Sequence, residues 1–330
     1  MEKTETALVL GANGGIGGEV ARQLRDAGWK VRALTRRPAS HTAPGGLDWL
    51  RGDALSAADV LAAARGCALI VHAVNPPGYR NWAGQVLPML RNTIAAADAA
   101  GATVLLPGTV YNYGPDAFPS VAEDAPQQPQ TRKGTLRMQM EAELEAWCRR
   151  GGHAVVLRAG DYFGPRSGNS WLAQGLVKPG RPLARIANPG TAGIGHQWAY
   201  LPDVAAAMIA LVSRRDALAP FARFHFGGHW DPDGTAMVAA LQRVAARHGL
   251  EAPVRAFPWY LVRLLAPFNE TMRELLEMRY LWQQPLRLDN SRLLATLGYE
   301  PHTPLEKAIE TTLAGLGCLP ERSPGMAHAS

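Results

Sequence analysis

A short apolar run, Thr6 to Leu10, stops at Gly11 and continues as Gly11-Ala12-Asn13-Gly14-Gly15-Ile16-Gly17 into a helix-compatible stretch, Ile16 to Ala27. A buried strand that turns through glycines into a helix constrains the fold more than any other feature of this chain. Gly11 permits the tight turn, Gly14 lets the backbone approach a pyrophosphate, and Gly17 lets the helix pack against the strand. Asn13, Gly15 and Ile16 complete the loop and open the helix, whose free N–H groups and partial positive charge suit phosphates. No Gly-Lys-Ser/Thr follows, so a P-loop is not supported.

The end of the next strand chooses between dinucleotides. NAD sites usually place a carboxylate about 20 residues after the glycines, on the ribose 2′-hydroxyl. Here the segment reads Leu34-Thr35-Arg36-Arg37-Pro38, with no acid. Two guanidiniums suit a 2′-phosphate through charge-assisted bonds, so Arg36 and Arg37 favour NADP(H) over NAD(H).

Strand and helix patterns alternate from there on. Strands are expected at 30–34, 47–50, 68–73, 103–106 and 154–157. Helices are expected from Ser56, with Asp59 at capping-box spacing, over 80–100 with a break or kink at Pro88, and over 132–149. Alternation with short turns implies a Rossmann-type α/β fold: a doubly wound parallel sheet, followed by a smaller C-terminal substrate lobe. The expected division is a core at 1–160 and a lobe at 161–318. Segments around 196–228 return to the core, and 319–330 form a disordered tail. Thr235 reads as the N-cap of one late helix, and Thr303-Pro304 as cap and first residue of the last.

Composition excludes other classes. Lys plus Arg number 34 against 28 acids, and the surplus is scattered in pairs rather than gathered into a basic stripe, so no nucleic-acid partner is expected. A small anionic ligand fits the surplus better. Cys67, Cys148 and Cys318 are widely spaced and form no CxxC, which argues against a disulfide framework or a zinc site and for a cytoplasmic home. No run approaches the roughly 20 apolar residues of a membrane span.

Several segments resemble the extended short-chain dehydrogenase/reductase superfamily, including its epimerase/dehydratase-like and atypical NmrA-like members. They are GANGGIG, VRALTRRP, Gly52-Asp53-Ala54-Leu55, VHAVNP at 71–76, VLLPGTVYNYGP at 104–115, VLRAGDYFGP at 156–165, AYLPDVAAAM at 199–208 and LDNSRLLATLGYEPHTPLEKAI near the C-terminus. The resemblance implies that Asp53, with Ala54 beside it, meets the adenine edge. It implies that His72, Ala73 and Val74 line the cofactor ribose, and that Ala159 to Tyr162 approach the nicotinamide. Read from the residues alone, Asp53 is equally a loop-capping acid and His72 a core histidine.

The resemblance breaks at the catalytic set. The superfamily uses a Ser at the end of the fifth strand, then a Tyr and a Lys four residues apart. Thr109 stands at the Ser position and keeps a hydroxyl. No tyrosine occurs between Tyr113 and Tyr162, and the helical pair is Lys133 and Arg137. Arg can hold ribose hydroxyls but cannot deprotonate. A lysine tuned downward by burial or a neighbouring cation is a workable proton donor. The bland alternative is a basic helix face around the cofactor, and Tyr111 or Tyr162 could supply a phenol instead. Asn169, Ser170 and Trp171 fall in the presumed substrate loops.

His225 and His229 sit four residues apart, but Gly227-Gly228 disfavours a helix there, so a structural reading is preferred to a metal. The stretch Pro258 to Pro285 suits core packing, a lid, a homodimer face or a membrane-surface helix. The leading expectation is an NADP(H)-dependent oxidoreductase acting on a small carbonyl, alcohol or sugar-like substrate. A non-catalytic NADP(H)-binding sensor or assembly protein, and an NAD-dependent sugar epimerase or dehydratase, are the alternatives.

Overall fold

The computed structural model describes residues 4–37, 46–76, 82–168 and 170–320. Along the chain come β1 (Thr6–Leu10), α1 (Gly15–Asp26), β2 (Lys30–Thr35), β3 (Asp48–Arg51), α2 (Ala57–Ala64), β4 (Leu69–His72), α3 (Trp82–Ala100) and β5 (Thr103–Thr109). Next are β6 (Ser120–Val121), α4 (Arg132–Cys148), β7 (Ala154–Ala159), β8 (Asp161–Phe163), β9 (Ile186–Asn188), β10 (His196–Tyr200), α5 (Leu201–Val212), β11 (Phe221–His225) and β12 (His229–Asp231). The remainder holds α6 (Ala236–Arg247), β13 (Val254–Ala256), α7 (Trp259–Leu265), α8 (Glu270–Glu277), β14 (Arg287–Leu288), α9 (Ser291–Leu297) and α10 (Leu305–Gly315).

Seven parallel strands form the central sheet in the order β11-β7-β5-β4-β1-β2-β3. Strand order reverses between β1 and β4, the place where a doubly wound sheet opens a crevice at its carboxyl edge. Strands covered on both faces must be apolar on both, and β1 shows how. Ala7 and Val9 pack with α1, α5 and α9, whereas Leu8 and Leu10 pack with α2, α3 and α4. A separate core joins Phe163, Trp198 and Tyr200 to one face of α6 and of α10.

Local interactions explain where the boundaries differ from expectation. Ser56 caps α2 through Asp59 N, but the Asp59 carboxylate reaches the Asp53 amide at 2.9 Å instead of closing a capping box. Helix α3 runs unbroken through Pro88. Pro304 is the N-cap of α10 rather than its first residue, because the Thr303 amide and hydroxyl donate to the Asp203 carboxylate at 2.6 and 2.7 Å. Thr235 is the N-cap residue of α6, as expected, but its side chain makes no capping bond, since its hydroxyl donates to Asp233 at 2.6 Å. Asp231 does that work, accepting from the Ala236 and Met237 amides at 3.0 Å each. Of the expected tail, 321–330 lies outside the described residues.

One buried polar cluster ties the sheet to α4. The Arg158 guanidinium, fully buried on β7, donates from Nε to Glu141 Oε1 at 3.0 Å and from Nη1 to the Glu123 carbonyl at 3.1 Å. It also bonds the Tyr113 hydroxyl, which lies 2.8 Å from His225 Nε2. Asp231→Ala is expected to cost about 2 kcal/mol in urea unfolding, against less than about 0.5 kcal/mol for Thr235→Ala. Equal costs would show that the Asp231 carboxylate does not supply the capping bonds.

Candidate functional site

A cavity of about 1260 Å³ runs along the carboxyl ends of the sheet strands. It begins at the β1–α1 turn. Gly11 has φ +93°, and a Cβ there would sit 2.4 Å from the Ala73 carbonyl oxygen. A Cβ on Gly17 would sit 2.3 Å from the Gly11 oxygen. Turn, helix and the end of β4 are thus in backbone contact, which only glycine allows. Gly14 is the N-cap of α1 in extended backbone; no side chain caps it, and no acid lies in the first turn. The opening amides of the helix therefore lack intrahelical partners, and the cavity reaches Gly14, Gly15 and Ile16. This cradle fits a diphosphate.

The wall beyond is set by β2 and β3. Asn13 Nδ2 donates to Thr35 Oγ1 at 3.1 Å, and that hydroxyl donates to the Arg37 carbonyl at 3.0 Å. The bonds fix the turn that puts Arg36 and Arg37, both exposed, on the cavity wall. Asp53 and Ala54 line the same end. The Asp53 carboxylate accepts from the Leu55 amide at 3.0 Å, so it caps its own loop while facing the cavity.

At the other end Thr109, Tyr111, Lys133, Arg137 and Tyr162 line the cavity together with Ala73 and Val74. Thr131 caps α4, accepting from the Gly134 amide at 3.0 Å. A Cβ on Gly134 would lie 2.1 Å from the Tyr111 carbonyl oxygen, so the first turn of α4 presses on the turn that directly follows Thr109. This brings Lys133 to the wall, buried, with Nζ 2.8 Å from Glu274 Oε2 of α8. Burial lowers the Lys133 pKa, and the Glu274 charge opposes that shift. Arg137 donates to Asn75 Oδ1 at 3.1 Å and lies over the Trp82 ring at 5.3 Å. The Tyr162 hydroxyl donates to the Gly108 carbonyl at 3.1 Å, and burial raises its pKa strongly.

Other expected residues lie elsewhere. Gly17 and Ala159 pack in the interior and are not lining residues. His72 does not line the cavity either. Its Nδ1 is 2.8 Å from Thr93 Oγ1, whose hydroxyl donates to the Met89 carbonyl, so His72 donates there. Burial, with Arg137 nearby, pulls its pKa down to about 3, which makes it a neutral core histidine. Asn169 lies outside the described residues, whereas Ser170 and Trp171 line the cavity. His225 belongs to the Arg158 cluster, and the His229 ring centroid is 4.5 Å from that of His302. Among the described residues no group of three His, Cys, Asp or Glu could hold a metal ion. All three cysteines are buried and unbridged. Among those residues no helix is long and apolar enough to cross a membrane.

Two acids were not foreseen. Glu274 sits in a stretch whose spacing shows only amphipathicity. Asp161 lies on the wall with Oδ2 2.8 Å from His196 Nε2, and the His196 ring stacks on Trp282 at 3.9 Å. Asp161 lies within the 159–162 segment, but no rule of spacing singles it out.

A parallel sheet in this strand order, opened by a glycine turn onto a cavity at its carboxyl edge, defines a Rossmann-type nucleotide-binding protein of the extended short-chain dehydrogenase/reductase kind. Residues 7–227 match the model of the NAD dependent epimerase/dehydratase family, and the chain belongs to that family. Similar solved structures include a putative epimerase from Burkholderia cenocepacia, with 20% identity and TM-score 0.72 over 96% of this chain and 99% of that one. Another is the UDP-N-acetylglucosamine 4-epimerase from Bacillus cereus, with 13% identity and TM-score 0.71 over 97% and 99%. A third is the UDP-glucose-4-epimerase from Stenotrophomonas maltophila with bound NAD and formylated UDP-arabinopyranose, with 14% identity and TM-score 0.71 over 95% and 98%. No curated protein matches the chain.

Gly11→Ala is expected to destabilise the protein by about 3 kcal/mol, from the positive φ and the Ala73 carbonyl together. A Tm within a degree or two of the parent would show that the turn is not in backbone contact with β4.

Proposed function

We propose that this chain is a nicotinamide-dinucleotide-dependent oxidoreductase that interconverts a carbonyl and an alcohol on a small molecule. Lys133 carries the proton and Arg137 holds the nicotinamide ribose. The observation that carries this reading is the buried Lys133–Glu274 pair, on the wall of the cavity that begins at the glycine turn. When bound, the dinucleotide supplies or accepts the hydride. Thr109 Oγ1 accepts from the Tyr111 amide at 3.3 Å, which leaves its own proton for the substrate oxygen. In the reducing direction the Lys133 ammonium gives a proton to that oxygen and becomes a neutral amine. In the oxidising direction the amine takes the proton back. Tyr162 is a poor substitute, because its hydroxyl is engaged with Gly108 and its pKa is raised.

Arg36 and Arg37 support NADP(H), because no described residue following β2 offers a carboxylate to a ribose 2′-hydroxyl, and the nearest lining acid, Asp53, follows β3. The family description and the NAD in a similar structure support a second reading, in which NAD serves a sugar-nucleotide epimerase. Calorimetry separates the two cofactors. Joint Arg36→Ala and Arg37→Ala substitution is expected to weaken NADPH by about 1 to 3 kcal/mol more than NADH. Equal losses would hand the site to NAD.

The lysine has its own test. Lys133→Met is expected to lower kcat by about a hundredfold or more with the dinucleotide Kd unchanged. Reduction needs the ammonium, so its rate falls as pH rises through the Lys133 pKa. Glu274→Gln removes the charge that opposes the downward shift, so the falling limb is expected at lower pH than in the parent. Superimposable pH profiles would remove Lys133 from the proton path.

A further inference from the structure

The hairpin of α7 and α8 has two sides. Its inner side belongs to the body of the protein: Val262 and Ala266 are buried, and Thr271, Glu274, Leu275 and Met278 line the cavity. Its outer side is apolar and uncovered. Tyr260, Leu261, Leu264 and Leu265 of α7 are 72%, 41%, 67% and 47% exposed, and Phe268, just beyond the helix, is 89% exposed. Positions 260, 261, 264, 265 and 268 recur at helical spacing, so they form one continuous crest. The Phe268 amide donates to the Leu265 carbonyl at 3.0 Å, which extends the row past the end of the helix. Half of the large apolar side chains exposed among the described residues lie in this short segment. Single exposed apolar residues occur on any surface, whereas a contiguous row marks a contact face.

Charge indicates what the crest meets. The acids that follow it on α8 are drawn to the start of α4. Glu274 pairs with Lys133 at 2.8 Å, Arg132 Nε lies 3.1 Å from Glu277 Oε1, and the Glu270 charge acts on the same guanidinium. Arg263 and Arg273 are exposed and stand outside those pairs, and neither enters an ion pair among the described residues. Ahead of the crest, the exposed Glu251 and Arg255 offset each other. Arg263 lies three residues after Tyr260 and four before Pro267, hence on the flank of the row. An apolar row with an aromatic ring at each end and a guanidinium on its flank suits the interface of an anionic bilayer. Rings and leucines enter the acyl boundary, while the guanidiniums stay among the phosphates. A second copy of the chain fits less well, because two-fold pairing of the crest on itself brings Arg263 of both copies into one interface.

We propose that the crest of α7 seats this protein on an anionic phospholipid surface. Among the described residues no helix is long and apolar enough to cross a membrane, so the hairpin lies in the headgroup layer. Because α8 of the same hairpin lines the cavity, docking brings part of the cavity wall to the lipid surface. The proposal does not depend on the oxidoreductase reading and stands or falls apart from it.

The full chain is mixed with vesicles of phosphatidylcholine alone, or of phosphatidylcholine with an equal part of phosphatidylglycerol, and the bound fraction is read by co-sedimentation at low and high salt. Binding to the phosphatidylglycerol vesicles is expected, weaker at high salt, with much less on phosphatidylcholine alone. Leu264→Ser with Phe268→Ser is expected to lower the partition coefficient about tenfold or more. Arg263→Gln with Arg273→Gln is expected to lower it about tenfold or more and to flatten the salt dependence, since each cation near an anionic surface is worth roughly fivefold. All four side chains are exposed, so Tm should hold; Tyr260→Ser alone replaces the double serine variant should that one melt early. No binding to the phosphatidylglycerol vesicles overturns the proposal, and so does equal binding to both vesicle types or binding that ignores the crest variants. A lipid-free dimer in sedimentation velocity that the serine substitutions dissociate also overturns it, and gives the crest to a second copy.

Discussion

The site depends on one close approach of backbone to backbone. The β1–α1 turn lies against the end of β4 so tightly that neither Gly11 nor Gly17 has room for a Cβ. Two consequences follow from that contact. The first turn of α1 is drawn up to the carboxyl edge of the sheet, where its amides open on the cavity rather than on another helix. Ala73 and Val74 are drawn to the same edge, so the floor of the cavity is built from the very strand end that closes the turn. Anything with side-chain bulk at either glycine would separate phosphate cradle and floor together.

The opposite end is fixed by a different kind of interaction. Lys133, Arg137 and Glu141 succeed one another at four-residue intervals on α4, hence on one face. The first two reach the cavity, and the third bonds the fully buried Arg158 of β7. Such a pair adds little to stability, since the desolvation of both charges offsets their attraction. Its geometric effect is larger. A guanidinium with several fixed acceptors admits few positions for the helix that supplies one of them, and so it sets the height of Lys133 above the sheet.

Local rules made the sheet legible, because each strand–turn–helix unit carries its own apolar run and its own punctuation. The β1–α1 turn, the arginines after β2 and the Thr109 strand end all follow from residues adjacent in sequence. What could not be read depends on partners far along the chain. Thr235 is the N-cap residue of α6, but the capping bonds come from Asp231 at the end of β12. Asp203 takes the Thr303 hydroxyl across a separation of 100 residues. His72 stands in a strand next to lining residues, yet its ring turns to Thr93, a choice made by packing and not by spacing. Glu274 is the most telling case. In an amphipathic stretch a glutamate reads as solvated, and only the fold carries it to Lys133.

That placement bears on the proposed role of Lys133, a lysine doing the work that the superfamily gives to a tyrosine. A phenol that gives up its proton leaves an anion, which needs a cation beside it. A lysine that gives up its proton leaves a neutral amine and needs no such helper, so the following helical position is freed to become Arg137, bonded to Asn75. The difficulty moves to the other half of the cycle. A buried amine resists protonation, and burial does lower Lys133. With Lys133 as donor, an anion must therefore be supplied, and Glu274 of α8 supplies it at 2.8 Å. In the proposed role, Lys133 would thus tie the proton chemistry to a helix outside the sheet. Leu275 and Met278, which follow Glu274 on the wall, are then held in register with Lys133 by the same ion pair.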